Sequence, residues 1–363
     1  MHLNVPTFAT LLTGFALGLG LCWLLLPLLI RVSPVVGLVD RPNSRKVHQK
    51  LIPAIGGLAI GLTLLLTTLL YWPLQQLFGD NSALALALLV LMITGVLDDR
   101  LNLRATIRLL IQIGCALLVA HYGIRLTSLH GLFGITALPV AVQYGLTVLI
   151  LTGMANAFNL IDGVDGLAGS LALINMVLLG TLAVVLGQPH WLLLLGPLTG
   201  ALLAFLRFNW RPARLFMGDG GSVVLGFLTA ALGIALLEGA YRQAAPYAPQ
   251  AVILITASCL IPIIDALRVF GSRMLKGLSP FTPDRNHMHH WLLKHRFAHS
   301  QITLRLVGVH ALVMAISWVG SFALSISSIF LLQVGLIIAY TTFIQLSHSF
   351  LKSYRLVRKL ETI

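Results

Sequence analysis

Five short runs carry residues whose types and spacing could do chemistry. Asp98 and Asp99 stand side by side in Gly95-Val96-Leu97-Asp98-Asp99-Arg100-Leu101-Asn102. Adjacent carboxylates repel each other unless a cation or a basic group neutralises them. Mg²⁺ takes hard oxygen ligands, commonly one or two carboxylates completed by substrate phosphates. The pair therefore reads either as a cation site or as a helix end neutralised by Arg100 and Arg104. In Asn156-Ala157-Phe158-Asn159-Leu160-Ile161-Asp162-Gly163-Val164-Asp165-Gly166-Leu167, the residues Asn156, Asn159, Asp162 and Asp165 recur at every third position. Positions i and i+3 share a helix face, and Gly163 and Gly166 permit a turn and a close approach to a ligand. This register favours a ligand site over a polar cap between two apolar segments.

The third run is Phe208-Asn209-Trp210-Arg211-Pro212-Ala213-Arg214-Leu215-Phe216-Met217-Gly218-Asp219-Gly220-Gly221-Ser222. Gly and Ser at a helix start expose backbone N–H groups that suit phosphate, and a cation would let Asp219 sit beside that phosphate. Phe216 could stack on a base, although a lone Phe more often serves packing. No GxGxxG follows a strand, so a dinucleotide fold is excluded. The fourth run, Asp284-Arg285-Asn286-His287-Met288-His289-His290, offers N–H donors for phosphate oxygens. Its spacing is a poor match to zinc sites. The fifth, Asp40 to His48, includes Lys46 and His48. It is either a plain basic loop or a basic lip for an anionic ligand.

The elements that must position these runs are helices in a membrane. Of 363 residues, 58% are hydrophobic and 10% are charged, against about 25% charged in soluble domains. Mean hydropathy is +0.93. This excludes a soluble enzyme, a disordered tail and a nucleic-acid-binding domain. A span needs about 20 apolar residues. The pattern predicts an all-α polytopic membrane protein with about eleven spans, or ten because several are short. They cover 7–30, 54–72, 83–97, 109–122, 139–155, 166–187, 191–206, 222–237, 250–270, 303–324 and 328–347. The run from Phe8 to Ile30 exceeds the roughly 7–15 residues of a signal-peptide core and reads as a retained first span. Gly14 and Gly18 there suit close helix packing. No linker divides the chain, so residues 1–363 read as a single transmembrane catalytic domain. Its three cysteines, Cys22, Cys115 and Cys259, lie in apolar segments with no CxxC spacing, so neither a disulfide framework nor a zinc site follows.

Charge predicts orientation. Of 24 Lys and Arg residues, only Arg125 and Arg242 fall on one set of loops. The positive-inside rule then puts the N-terminus outside, the C-terminus inside and the motif loops in the cytoplasm. Asp98, Asp99, Asp162, Asp165, Asp219, Asp265 and Asp284 all fall at or near those cytoplasmic ends. Carboxylates at membrane depth are costly and mark functional sites.

Taken together and in this order, the five runs resemble the polyprenyl-phosphate N-acetylhexosamine-1-phosphate transferase family, from about Gly37 to the His cluster. The carrying motifs are the DD pair, NxxNxxDGxDGL, FMGDxGS and PDRxHxHH. The last is similar to the bacterial branch that uses UDP-N-acetylglucosamine (UDP-GlcNAc). The resemblance implies transfer of a sugar 1-phosphate from that donor to undecaprenyl phosphate with release of UMP. The expected place is the bacterial inner membrane, at the first membrane step of a cell-surface polysaccharide pathway. It implies Mg²⁺, with Mn²⁺ as a substitute. It implies Asp219, Asp98 and Asp99 at the metal, and Asp98, Asp99, Asp162, Asp165 and His287 as catalytic positions. It also implies Lys46, His48, Asn156, Asn159, Asn209, Phe216, Arg285, His289 and His290 in substrate binding. The expected partners are both substrates and the lipid bilayer, with no nucleic acid and a homodimer left open. Another UDP-N-acetylhexosamine, including UDP-MurNAc-pentapeptide, is the alternative donor. A cation-coupled transporter is the competing class, but transporters place their charges near the bilayer midplane. The predicted orientation is testable by single-Cys labelling with an impermeant maleimide. In intact cells a Cys at Gln243 should label and one at Asn286 should not; the reverse pattern would invert the topology.

Overall fold

The structure, a computed structural model, describes residues 6–40, 51–279 and 286–360, the stretch 351–360 as helix backbone only. Thirteen α-helices dominate the described residues: α1 (Phe8–Val36), α2 (Gly56–Leu70), α3 (Trp72–Asp80), α4 (Ser82–Leu101), α5 (Ala105–His121), α6 (Val140–Ile161), α7 (Leu167–Val185), α8 (Leu192–Asn209), α9 (Asp219–Arg242), α10 (Ala248–Met274), α11 (Met288–Lys294), α12 (His299–Gly320) and α13 (Ile326–Leu360). The β structure is a two-residue antiparallel pair, β1 (Val39–Asp40) with β2 (Ile52–Pro53), and an isolated bridge from Ala54 to Phe216.

Each of the eleven expected segments overlaps one of these helices. Nine helices among the described residues are long and apolar enough to cross a membrane, and ten if the bent pair α2 and α3 is one span. The expected eleven exceeds this because α2 and α5 are short, at 15 and 17 residues. At about 1.5 Å per residue, 17 residues reach only about 25 Å, less than a hydrocarbon core of about 30 Å. Between α2 and α3 the chain turns by 104° at Tyr71, whose hydroxyl donates to the Thr10 carbonyl at 2.7 Å.

The bundle is organised around α9, in which every residue from Gly220 to Ala240 except Val224 is buried. Helices α2, α4, α6, α7 and α10 pack around it. Two crossings near its start bring backbone against backbone. A Cβ on Gly95 of α4 would lie 2.4 Å from Gly220 Cα, and one on Gly57 of α2 would lie 2.0 Å from the Gly221 amide nitrogen. Only glycine allows this approach, and in lipid such close packing drives helix association. The expected small-residue contact on α1 is also present, with Gly18 against the Pro197 backbone of α8.

The crossings yield a prediction. Gly95→Ala should force α4 off α9 and cost about 1–3 kcal/mol of stability, the usual range for overpacking. Gly114→Ala in α5 meets open space and should be silent. Melting of the two detergent-solubilised variants measures the difference; equal melting temperatures would mean that the crossing is not tight.

Candidate active site

One turn beyond Gly95, α4 ends at the acidic pair, and the two carboxylates do different work. Asp99 accepts hydrogen bonds from the first amides of α9, Asp219 N–H at 2.9 Å and Gly220 N–H at 3.4 Å. It caps a helix end that has no capping side chain of its own, and its charge opposes the positive helix terminus. Asp98 is buried. Its Oδ1 accepts from the Leu103 amide at 2.7 Å and its Oδ2 from Arg108. Arg108 Nη1 also donates to Asp219 Oδ2 at 2.8 Å, so one guanidinium bridges the two carboxylates.

The other runs arrive at the same end of the bundle. Asn209 is buried and brackets two loops: its Oδ1 accepts from Gly166 N–H at 2.9 Å, and its Nδ2 donates to Leu215 C=O at 2.8 Å. Phe216 is tied through its backbone to the β2 side, donating to Pro53 and accepting from Gly56. A cavity of about 720 Å³ results, in the size range of small-molecule sites. Its walls include Asp40, Asp98, Asp99, Asp162, Asp165 and Asp219, facing Arg108, Arg211, His290 and His299; Asn209 and Phe216 also line it. Among the described residues, nothing is hydrogen-bonded to the Asp162 carboxyl. Burial, then Asp219 and Asp165, push its pKa up to about 7.

Several expected roles change. Both oxygens of Asp99 accept from the α9 amides and both oxygens of Asp98 accept hydrogen bonds, so each carboxylate holds the junction in place while also lining the cavity. The same contacts correct the phosphate expectation for the α9 start, because Asp99 already occupies the exposed amides. Asn156 donates to Gln112 and to the Thr152 carbonyl, and Asn159 donates to Ser222 Oγ at 3.0 Å. Both join helices, and Asn159 also hydrogen-bonds the Asp219 carboxyl at the cavity wall. Helix α11 presents His290 to the cavity, whereas His287 and His289 are buried. His287 Nδ1 lies 2.8 Å from Asp265 Oδ2, and Asp265 also accepts from Arg268 and the Met288 amide. His289 lies against Gly163, where a Cβ would come within 2.3 Å of its Nε2. Burial, then His290, lowers the His289 pKa to about 3, which favours the neutral ring when no phosphate is bound. Lys46, His48 and Arg285 lie outside the described residues.

Three residues of this region escaped the motifs. Arg108 counted only as a basic residue of a loop. Asp265 was noted at a span end without a role. His299 stands nine residues beyond the His cluster, and its Nδ1 is 3.1 Å from Asp165 Oδ1.

Hard carboxylate oxygens fit Mg²⁺ or Mn²⁺. No group of three or more His, Cys, Asp or Glu among the described residues is arranged to hold a metal ion. The arrangement suits a cation held by one or two carboxylates and completed by substrate phosphate.

The model of glycosyl transferase family 4 matches residues 81–237. An Escherichia coli (strain K12) protein named undecaprenyl-phosphate alpha-N-acetylglucosaminyl 1-phosphate transferase is 32% identical over 293 residues, covering 79% of this chain and 77% of that one. A Yersinia pestis protein of the same name is 33% identical over 297 residues, covering 80% and 79%. A Bacillus subtilis (strain 168) protein named "Probable undecaprenyl-phosphate N-acetylglucosaminyl 1-phosphate transferase" is 30% identical over 332 residues, covering 88% and 90%. The chain belongs to glycosyl transferase family 4. It is a phospho-sugar transferase and a multi-pass membrane protein. The family match begins just before α4 and ends within α9, and so spans the two helices whose ends meet at Asp99.

The opposite duties of Asp99 and Asp162 predict opposite effects. Asp99→Ala should lower stability by about 1–2 kcal/mol, as for a lost cap. Asp162 has a folded pKa of about 7, above the roughly 3.9 of an unfolded Asp. Its ionisation therefore removes stability as pH rises from about 4 to 7. In metal-free buffer, the melting temperature of Asp162→Asn should exceed that of the parent by a margin that widens over this range. A margin independent of pH would reject the half-buried, unpaired state of Asp162.

Proposed function

We propose that the chain transfers N-acetylglucosamine 1-phosphate from UDP-GlcNAc to undecaprenyl phosphate, releasing UMP and leaving the diphosphate product in the bilayer. The observation that carries this reading is the acidic cavity at the helix ends, in a chain 32% identical to a protein of that name. Both substrates are anions, and six wall carboxylates would repel them without added positive charge. Mg²⁺ is the proposed cofactor, with Mn²⁺ as a substitute, held by Asp219 and Asp162. When bound, it would neutralise the donor diphosphate and the charge gathering on departing UMP.

The chain's residues act by positioning. Arg108 is the cationic side chain already placed between Asp98 and Asp219, and phosphate can compete for its N–H groups. Asp165, Asn209 and Phe216 form the proposed nucleoside side, with His290 and Arg211 toward the diphosphate and sugar. An oxygen of the lipid phosphate bonds to the phosphorus that bears the sugar. The bond from that phosphorus to the bridging oxygen breaks, and its electron pair leaves on UMP. A phosphate monoester has a second pKa near 6, so the nucleophile needs no strong base at neutral pH. That supports direct attack over an aspartyl-phosphate route. The basic loops support a cytoplasmic active site on the bacterial inner membrane.

Incorporation of radiolabel from UDP-GlcNAc into a lipid extract, with matching UMP release, tests the reaction. Activity should vanish in EDTA, return with Mg²⁺, and fall about 100-fold or more in Asp219→Asn. Near-normal turnover of that variant at limiting Mg²⁺ would remove Asp219 from the cation site, and no lipid-borne label would overturn the function.

A further inference from the structure

His299 opens α12 and stands in the cavity wall beside Asp165. Its position is set locally, because the Gln301 side chain accepts from the Ala298 amide at 2.9 Å and steadies the first turn of α12. Two groups lie against the Asp165 carboxylate. Oδ1 lies 3.1 Å from His299 Nδ1, and Oδ2 accepts from the Ala213 amide at 3.3 Å. One turn further along α12, Thr303 Oγ1 donates to the Asp165 carbonyl at 2.9 Å. The side chains of His299 and Asp165 are only 17% and 12% exposed, so water competes weakly for the contact.

The Asp165 amide donates to His299 Nδ1 at 3.4 Å, so this nitrogen accepts. Oδ1 lies beside the ring at 3.1 Å without being its hydrogen-bond partner. Without His299, the Asp165 amide would lose its acceptor on α12, and the carboxylate would be left with the Ala213 amide of the loop that carries Phe216.

We propose that His299 is a positioning residue of the donor-nucleotide site, acting through Asp165: its Nδ1 holds the Asp165 amide and its ring flanks the carboxylate, and together they set the direction in which that carboxylate faces the nucleoside. This rests on the reading of Asp165 as a nucleoside contact. It extends the working part of the chain beyond the His cluster to the start of α12, and it ties α12 to the turn between α6 and α7.

The two ring nitrogens can be separated by substitution. The side-chain oxygen of Asn can stand where Nδ1 does, bonded to Cγ, and accept from the Asp165 amide, whereas that of Gln reaches toward the place of Nε2. UMP binding to the purified full-length protein in detergent, together with KM and kcat for UDP-GlcNAc and for undecaprenyl phosphate, gives the readout. His299→Ala should weaken UMP binding and raise the UDP-GlcNAc KM by a common factor of about 10. The values of kcat and of the lipid KM should stay within about twofold. His299→Asn should restore nucleotide affinity and His299→Gln should not. In an Asp165→Asn background, His299→Ala should add no further loss, as expected for residues acting through one contact.

Restoration by Gln but not Asn would overturn the proposal in favour of direct contact through Nε2. Unchanged nucleotide affinity in His299→Ala, or additive losses in the double variant, would overturn it outright. If His299→Ala does not fold, the comparison of Asn with Gln decides the question alone. A parent protein that fails to bind UMP would reject the nucleotide reading of the cavity itself. Failure confined to the His299 variants rejects only the positioning role.

Discussion

The close approach of α4 and α2 to the start of α9 is the constraint on which the rest depends. Gly95 and Gly220 meet with no side chain between them, and so do Gly57 and Gly221. That distance lets a carboxylate at the end of α4 reach the first amides of α9. Asp99 makes that reach, and the neighbouring Asp98 is directed to the turn before α5 and to Arg108. Asp219, the first residue of α9, then projects where Arg108 can join it to Asp98. An added methyl group at the glycine crossing would therefore move three carboxylates and a guanidinium together.

Around this junction the charges are arranged in two ways. Asp98, Asp99 and Asp265 are satisfied by amides, arginine or histidine, and they hold elements in place. Among the described residues Asp162 has no such partner, and it lines the cavity. A half-buried carboxyl left unpaired costs stability and persists where function requires it. The structural carboxylates fix the helix ends from which the others project into the cavity.

The sequence shows much of this but not all of it. The helical segments were legible because apolar runs are long and charges interrupt them. The DD pair, the DGxDG turn and Asp219 were legible because carboxylates are rare in such a composition. Burial was not legible: α1 and α9 have the same mean hydropathy, yet 17% of the α1 window is buried and 89% of the α9 window. Lipid is as apolar as a protein core, so composition cannot distinguish the two. Asn156 and Asn159 share the helical register of Asp162, but amides also join helices, and spacing does not show which partner they face. Arg108 and His299 lay hidden for a related reason. Each belongs to an ordinary basic or polar stretch, and each acquires its meaning only when a carboxylate from a distant segment is folded against it.

The partner that Asp99 caps lies 120 residues further along the chain. At a synthesis rate of about 5–20 residues per second, α4 exists for roughly 6–24 seconds before α9 begins to emerge. During that interval the acidic pair has no α9 amides to meet and must remain at the water-facing edge of the bilayer, with Arg108 as its near neighbour in sequence. The last turn of α4 can settle only when α9 enters between helices already inserted. Assembly of the reaction centre is thus a late event of biogenesis, and a chain truncated before α9 would carry the Asp98–Asp99 pair without the helix that gives it a place.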